Sequence, residues 1–186
     1  EENMAYQYEL VLFDLDGTLT DSGLGIMNSV QYALKKIGRG VENLEELQCF
    51  VGPPLAQQFA KFCGFSDEKG HQMVEFYREY YEGKGMLENA VYDGIPEVLE
   101  QLKNAGIRLA VATSKPEKYA RKIAEHFKIA PYFEFIGGAN MDGSRTKKAE
   151  VIEYVLKNCK VEDRQSVLMA VSYTHLRAHE TTLHLV

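Results

Sequence analysis

Residues 9–18 read Glu-Leu-Val-Leu-Phe-Asp-Leu-Asp-Gly-Thr, an apolar run followed by two acids, a glycine and a threonine. The apolar run predicts a buried strand, with Asp14 and Asp16 directly at the carboxyl end of that strand. Two carboxylates beside a buried strand are costly to desolvate, which favours a functional role for them. Gly17 permits a turn that would let both carboxylates approach one site. The alternative is an ordinary turn in which the Asp side chains bond to the nearby backbone.

The second half of the chain alternates predicted helices and strands. Strands are predicted at residues 107–112, 133–136 and 167–169. Helices are predicted at 116–127, at 147–157 and from Pro96 onward, the last with the apolar residues Val98, Leu99 and Leu102. This alternation is typical of a doubly wound, Rossmann-like parallel sheet with helices on both faces, which is an α/β fold.

The segment between these parts has a different character. Four consecutive helices are predicted, at residues 25–37, from Asn43, at 55–63 and from Ser66. Asn43 and Glu46 form a capping-box pattern at the start of the second helix. The third helix is predicted to turn Leu55, Phe59 and Phe62 inward. Four helices without an intervening strand indicate a helical unit inserted into the α/β core.

The composition excludes several classes of protein. The chain has 186 residues and a net charge of −6, from 21 basic and 27 acidic residues, which argues against a nucleic-acid-coating protein. No apolar run approaches the ~18 residues of a membrane-spanning helix. The first residues are polar and acidic, so we expect no signal peptide. Three cysteines without a CxxC spacing indicate reduced thiols and a cytoplasmic protein.

The string from Asp14 to Thr18 resembles the first motif of the haloacid dehalogenase-like (HAD) hydrolase superfamily, most of whose members are magnesium-dependent phosphatases. The resemblance implies that Asp14 is a nucleophile that forms an aspartyl-phosphate intermediate. It implies that Asp16 protonates the leaving oxygen and later deprotonates water. Gly17 and Thr18 would contribute to substrate binding.

Two further motifs of this superfamily find matches in the chain. Thr113 and Ser114 follow the predicted strand at 107–112, and the resemblance implies that Thr113 donates its hydroxyl to a phosphate oxygen. The alternative is that these residues merely cap the next helix. The third motif is a lysine that offsets negative charge, for which Lys148 is the first choice and Lys147 the rival.

The helical insert resembles the C1 cap domain of the phosphoglycolate-phosphatase-like branch. The resemblance implies a discontinuous core at residues 1–20 and 92–170, with the cap at 21–91. Gly52 and Pro53 lie in a stretch that resembles the cap loop facing the active site, and both would bind substrate. The alternative for this loop is a plain connector between helices.

The fourth motif is missing from the sequence. Family members place acidic residues after the strand predicted at 167–169, and these acids complete a Mg²⁺ site. Here Asp14 and the backbone carbonyl of Asp16 would be the only protein ligands, because no Asp follows Asp163. Residues 171–186 resemble a translated sequencing adapter. We therefore expect a non-native tail and a core truncated at its C-terminus.

These observations predict a Mg²⁺-dependent phosphatase that hydrolyses a small phosphomonoester, with phosphoglycolate as the first candidate. Nucleotidase, pyrophosphatase and sugar-phosphate mutase activities are alternatives on the same scaffold. A receiver-like phospho-acceptor module is a further alternative, and so is an inactive fragment. The expected partner is a small phosphorylated metabolite, with no nucleic acid and no membrane, and we expect a monomer or a homodimer.

Overall fold

The computed structural model describes residues 8–170 and divides them into two units. The first unit comprises residues 8–20 and 91–170, and the second comprises residues 21–90. The strands in chain order are β1 (Leu10–Phe13), β2 (Thr20–Asp21), β3 (Ala90–Val91), β4 (Arg108–Pro116), β5 (Phe135–Ala139) and β6 (Val167–Ala170). The α-helices are α1 (Gly23–Lys36), α2 (Leu55–Cys63), α3 (Asp67–Gly83), α4 (Ile95–Asn104), α5 (Glu117–His126) and α6 (Lys148–Asn158).

A four-stranded parallel sheet organises the first unit. Its strand order is β5-β4-β1-β6, so β1 lies in the interior with β4 and β6 as neighbours. In the register, Leu12 lies opposite Ala110 on one side and Met169 on the other. All carboxyl ends therefore point to one edge of the sheet, which is where Asp14 follows β1. The predicted parallel α/β core is confirmed.

The connections determine which helices cover which face of the sheet. The chain passes from β1 through α4 to β4 and from β4 through α5 to β5, moving toward one edge. It then returns through α6 from β5 to β6 at the opposite edge. Because parallel crossovers are almost always right-handed, α4 and α5 lie on one face and α6 on the other.

The sheet is buried on both faces. Alternate residues of β1 and β4 pack with α6 in one apolar cluster, which consists of Leu10, Leu12, Ala110, Ala112, Val151, Val155, Leu156 and Cys159. The residues between them face the other side and are also buried, namely Val11, Phe13, Leu109 and Val111. Two covered faces explain why β1 reads as a continuous apolar run.

The strand β4 is longer than the sequence predicts. It extends to Pro116 rather than ending at Ala112, with an irregularity in its pairing between these two residues. Thr113 and Ser114 thus lie inside the strand. The helix α5 begins only after Pro116 and has no side-chain cap, so neither Thr113 nor Ser114 caps it.

The second unit is helical, and its second helix differs from the prediction. Leu44–Phe50 forms a 3-10 helix, which begins at the predicted capping box of Asn43 and Glu46. Leu47 and Phe50 are its buried residues. Residues three apart align on one side of a 3-10 helix, so this winding buries both of them. The unit therefore contains three α-helices and one longer 3-10 helix instead of four α-helices.

A close backbone contact holds α1 against the segment that follows α3. The N–H of Gly25 donates to the carbonyl of Glu88 at 3.0 Å, and the hydroxyl of Ser29 donates to the carbonyl of Gly25 at 2.6 Å. A Cβ atom on Gly25 would lie 1.9 Å from the carbonyl oxygen of Gly85. Only glycine therefore fits at position 25.

Phe62 is predicted to face inward, but it is exposed in the structure. Phe62 is 39% exposed, although its ring lies 5.3 Å from that of Phe50. It lies in the last turn of α2, in which Phe59 is the buried residue. Val98 is 43% exposed, because α4 turns Leu99 toward the core instead. Helical spacing groups residues on one broad side but does not give the width of the covered stripe.

The predicted non-native tail at residues 171–186 lies outside the described residues. Among the residues that are described, no helix is both long and apolar enough to cross a membrane.

Candidate active site

The turn after β1 holds Asp14 and Asp16. The N–H of Asp14 still donates to Ala170 in β6, at 3.2 Å, so the sheet anchors its backbone. The N–H of Leu15 donates to Asp14 Oδ1 at 2.8 Å. Gly17 has a φ of +76°, which a residue with a side chain adopts only with strain. This left-handed glycine closes the turn and lets the chain leave the sheet edge immediately after the two acids.

Lys148 reaches Asp14 from the first turn of α6. Its Nζ lies 2.6 Å from Asp14 Oδ2 and donates to the carbonyl oxygen of Ala112 at 2.7 Å. The ammonium thus links the end of β1 to the neighbouring strand β4. Lys147 is exposed and forms the N-cap of α6, with its N–H donating to Glu150 Oε2 at 3.4 Å. Of the two candidate lysines, Lys148 is therefore the one that contacts Asp14.

Thr113 and Ser114 differ in their surroundings. Thr113 is 1% exposed, whereas Ser114 is exposed, as expected for neighbours in a strand that point to opposite sides. Thr113 Oγ1 accepts a hydrogen bond from the N–H of Lys115 at 3.2 Å. Because this bond uses a lone pair, the hydroxyl hydrogen of Thr113 remains able to donate to a ligand.

Lys115 is a site residue that the sequence analysis did not assign. Its Nζ lies 3.1 Å from Asp16 Oδ2, and its side chain is 6% exposed against 22% for Asp16. Asp16 Oδ1 is buried and has no hydrogen-bond partner within the described part of the chain. Extending the predicted strand to Lys115 would have identified this residue. Residues two apart in a strand share a face, and Thr113 was already a candidate.

Two acidic and two basic side chains lie at one edge of the sheet, and their formal charges cancel. Asp14 and Asp16 come from the β1 turn, Lys115 from β4 and Lys148 from α6. Thr18 lies in the same turn, and its hydroxyl oxygen is buried without a hydrogen-bond partner among residues 8–170. The arrangement offers two carboxyl groups and two fixed positive charges to an anionic ligand.

The loop that leads to Lys148 is fixed by Arg145. Arg145 has a φ of +50°, and its Nε donates to the carbonyl of Gly138 at 2.9 Å. Its Nη2 donates to Asn140 Oδ1 at 2.8 Å, and its guanidinium carbon lies 3.6 Å from the centre of the Tyr154 ring. These contacts tie β5, the loop and α6 together, so the start of α6 has a defined position.

Three groups of the first unit with shifted pKa values, Arg108, Glu134 and Cys159, lie near the other end of β4. Burial alone would raise the pKa of Glu134, but hydrogen bonds from Arg108 at 2.7 and 2.9 Å hold that pKa below its ordinary value. Burial, with a smaller contribution from Glu134, raises the pKa of the Cys159 thiol to about 12. A thiol with this pKa stays protonated at neutral pH, so Cys159 acts as a core residue rather than a nucleophile.

Residues 11–171 match the protein-family model described as haloacid dehalogenase-like hydrolase. The chain belongs to the HAD hydrolase family. The match spans both units described above, and the predicted membership and the predicted phosphatase class are confirmed. It gives no support to a receiver-like module.

Individual proteins are similar to this chain as well. A 5'-nucleotidase from Pseudomonas aeruginosa is 47% identical over 152 residues, which cover 82% of this chain and 69% of the relative. The tyrosine-protein kinase PtkA of Mycobacterium tuberculosis is 44% identical over 80% of this chain, which spans half of PtkA. A phosphoglycolate phosphatase from Pseudomonas fluorescens is 30% identical over 91% of this chain and 64% of its own length.

Solved structures resemble the fold as well. A predicted phosphatase from Clostridium acetobutylicum superposes with a TM-score of 0.82 at 46% identity. The superposition covers 87% of this chain and 74% of that protein. PtkA superposes with a TM-score of 0.75 at 40% identity. The structural similarity and the family match of the sequence thus lead to the same fold.

The described residues provide too few oxygen ligands for a Mg²⁺ ion. Residues 8–170 contain no group of three or more His, Cys, Asp or Glu side chains that could hold a metal. The carboxylates of Asp14 and Asp16 are each within ion-pair distance of a lysine. An octahedral Mg²⁺ site needs further oxygen ligands, so the described residues alone do not fit this ion.

Gly52 and Pro53 belong to the second unit. They lie between the 3-10 helix Leu44–Phe50 and α2, both are exposed, and Gly52 has a φ of +111°. The loop is thus accessible and contains a left-handed glycine. A role of these residues in substrate binding stays a prediction.

Proposed function

We propose that this HAD hydrolase cleaves a small phosphomonoester through an aspartyl-phosphate on Asp14. The observation that carries the proposal is the position of Lys148 Nζ, 2.6 Å from Asp14 Oδ2 and 2.7 Å from the carbonyl oxygen of Ala112. The contact joins the first motif to the third, and the bridging carbonyl lies directly before Thr113 of the second. Three separate motifs therefore meet at one carboxylate, which supports a nucleophile rather than a structural turn.

The proposed reaction has two displacements at phosphorus. In the first, an oxygen of Asp14 forms a bond to phosphorus while the ester P–O bond breaks, and the leaving oxygen takes the proton of Asp16. In the second, Asp16 accepts a proton from water as the water oxygen attacks phosphorus and releases Asp14. Lys148 and the hydroxyl of Thr113 would stabilise negative charge on the phosphoryl oxygens.

The identity of the ester is open between two candidates. Phosphoglycolate is supported by the phosphoglycolate phosphatases at about 30% identity or less. A nucleoside 5'-monophosphate is supported by the P. aeruginosa 5'-nucleotidase at 47% identity. The higher identity favours the nucleotide, so both esters belong in the same assay.

The proposal also includes a Mg²⁺ ion, a small-molecule partner and a cellular location. Mg²⁺ dependence is supported by the family alone, with Asp14 and the backbone carbonyl of Asp16 as the expected ligands. A small phosphorylated metabolite is the proposed partner, because a net charge of −6 disfavours nucleic acid. Three free thiols support a reducing compartment such as the cytoplasm, and these are Cys49, Cys63 and Cys159.

The proposal is tested by phosphate release from both esters, with Mg²⁺ and with a chelator. Asp14→Asn removes the nucleophilic oxygen and should lower kcat by at least about three orders of magnitude. Asp93→Asn is the matched control, since Asp93 is exposed in a turn of the same unit and should keep normal turnover. Full activity of Asp14→Asn would refute the covalent route.

The same assay addresses the tail. It is run with the 186-residue chain and, in parallel, with residues 171–186 replaced by whatever long-read sequencing of the locus gives. We expect little turnover from the first protein and normal turnover from the second. Equal turnover of the two proteins would contradict the expectation that the segment 171–186 impairs the enzyme.

A further inference from the structure

Lys115 and Asp16 form an ion pair that the proposed reaction has not yet used. Lys115 is in the last part of β4, and Asp16 lies in the turn after the neighbouring strand β1. Their Nζ and Oδ2 atoms are 3.1 Å apart. The lysine side chain is 6% exposed, and a lysine this deeply buried is rare unless it is paired.

The two carboxylate oxygens of Asp16 have different surroundings. Oδ2 contacts the Lys115 ammonium, whereas Oδ1 is buried without a hydrogen-bond partner in the described part of the molecule. The backbone of Lys115 is fixed as well, because its N–H donates to Thr113 Oγ1 at 3.2 Å. The ammonium therefore comes from a rigid strand, and one oxygen of Asp16 remains open to another group.

We propose that Lys115 is a positioning residue that holds Asp16 by Oδ2 and leaves Oδ1 to exchange the proton with the leaving group. The inference rests on the proposed function, in which Asp16 is the acid. When the ester P–O bond breaks, the proton moves from Oδ1 to the leaving oxygen, and Asp16 becomes a carboxylate. Lys115 keeps its protons and stabilises the carboxylate that forms.

This role predicts a dependence on the leaving group. A phosphate ester of a primary alcohol needs a proton on the departing oxygen, because a free alkoxide is a poor leaving group. The leaving group of p-nitrophenyl phosphate is p-nitrophenolate, a stable anion that departs with little help from an acid. Loss of a residue that acts through Asp16 should therefore slow the alkyl ester much more than the aryl ester.

The test compares Lys115→Met, Asp16→Asn and the double variant on both esters, in the form of the protein that is active in the assay above. For the alkyl ester we expect Asp16→Asn to lose about 10²–10⁴ in kcat, the usual contribution of a general acid. Lys115→Met should lose about tenfold more on the alkyl than on the aryl ester, with KM nearly unchanged. The double variant should be no slower than Asp16→Asn, because both changes act on one proton transfer.

Two controls separate this role from folding. Lys103→Met removes an exposed lysine that donates to the carbonyl of Pro131 and should leave both esters unaffected. Lys115→Arg keeps the positive charge and should restore most of the turnover of the alkyl ester. If Lys115→Met does not fold, the Lys115→Arg and double variants still carry the comparison, since neither leaves a lone buried charge.

The possible outcomes separate the positioning role of Lys115 from the acid role of Asp16. A raised KM for both esters alike, with losses that add to those of Asp16→Asn, would show that Lys115 binds the phosphate and would overturn the positioning role. If Asp16→Asn itself slows both esters equally, the acid role of Asp16 fails, and the inference about Lys115 fails with it. A Lys115→Met enzyme with normal turnover of the alkyl ester also overturns it.

Discussion

Replacing Lys148 by Met removes the ammonium that contacts both Asp14 and the carbonyl of Ala112. At 2.6 Å and an effective dielectric constant of ~20, Coulomb's law gives an attraction of about 6 kcal/mol. The Lys148 and Asp14 side chains are 30% and 20% exposed, so solvent screening and desolvation reduce the net effect to roughly 3 kcal/mol. If this stabilisation carries into the transition state, kcat falls by about two orders of magnitude.

The assay is steady-state hydrolysis of a phosphomonoester by three proteins, the parent, Lys148→Met and Lys147→Met. Lys147 is one residue away, exposed, and contributes its backbone to the N-cap of α6. Its variant should stay within about twofold of the parent, as surface substitutions usually do. A large loss in Lys147→Met with a normal Lys148→Met would refute the choice of lysine.

A second measurement does not depend on turnover. Thermal unfolding of Lys148→Met, Asp14→Asn and the double variant forms a double-mutant cycle, which isolates the energy of the contact itself. We expect a coupling energy of about 1–3 kcal/mol, with the double variant less affected than the sum of the two single variants. Strictly additive effects would show that the two side chains do not interact in solution.

Two further predictions concern stability. Gly25→Ala should destabilise the helical unit by several kcal/mol or prevent its folding, because the new Cβ would lie 1.9 Å from the carbonyl oxygen of Gly85, and circular dichroism during thermal unfolding would measure this loss. Glu134→Gln should destabilise the protein at neutral pH, because Arg108 holds the pKa of Glu134 below its ordinary value. That contribution is complete above the ordinary pKa of about 4.3 and fades as the pH falls through the lowered pKa of the folded state, so the two proteins should unfold alike near pH 2–3. A difference that persists unchanged in acid would contradict this account.

The sequence predicts the core of the first unit well, because its signals are local. The apolar run of β1 is buried on both faces, so its residues are apolar without alternation and easy to recognise. Asp14, Asp16 and Gly17 follow immediately, and a left-handed glycine is the usual way to end a strand in a tight turn. The order of three motifs then indicates one site without any knowledge of distances.

The remaining site could not be predicted, because it depends on how far elements extend. The sequence pattern predicts a strand that ends at Ala112, which places both Thr113 and Ser114 beyond the strand and does not tell which of them is buried. Because the strand continues to Pro116, Ser114 is exposed, whereas Thr113 and Lys115 are buried. The prediction of Phe62 as inward failed for a similar reason, since helical spacing does not tell where the covering residues end.

The pairing of β2 with β3 has a consequence for how such a protein can change. These short strands contain the two junctions at which the chain passes into residues 21–90 and returns, so both ends of the insert are neighbours. A segment with adjacent ends can be lengthened, exchanged or excised with little cost in loop-closure entropy. The insert is in this sense an interchangeable module: a graft of another helical segment between Thr20 and Val91 would leave in place the β1 turn, β4 and α6, which carry the four charged side chains of the site.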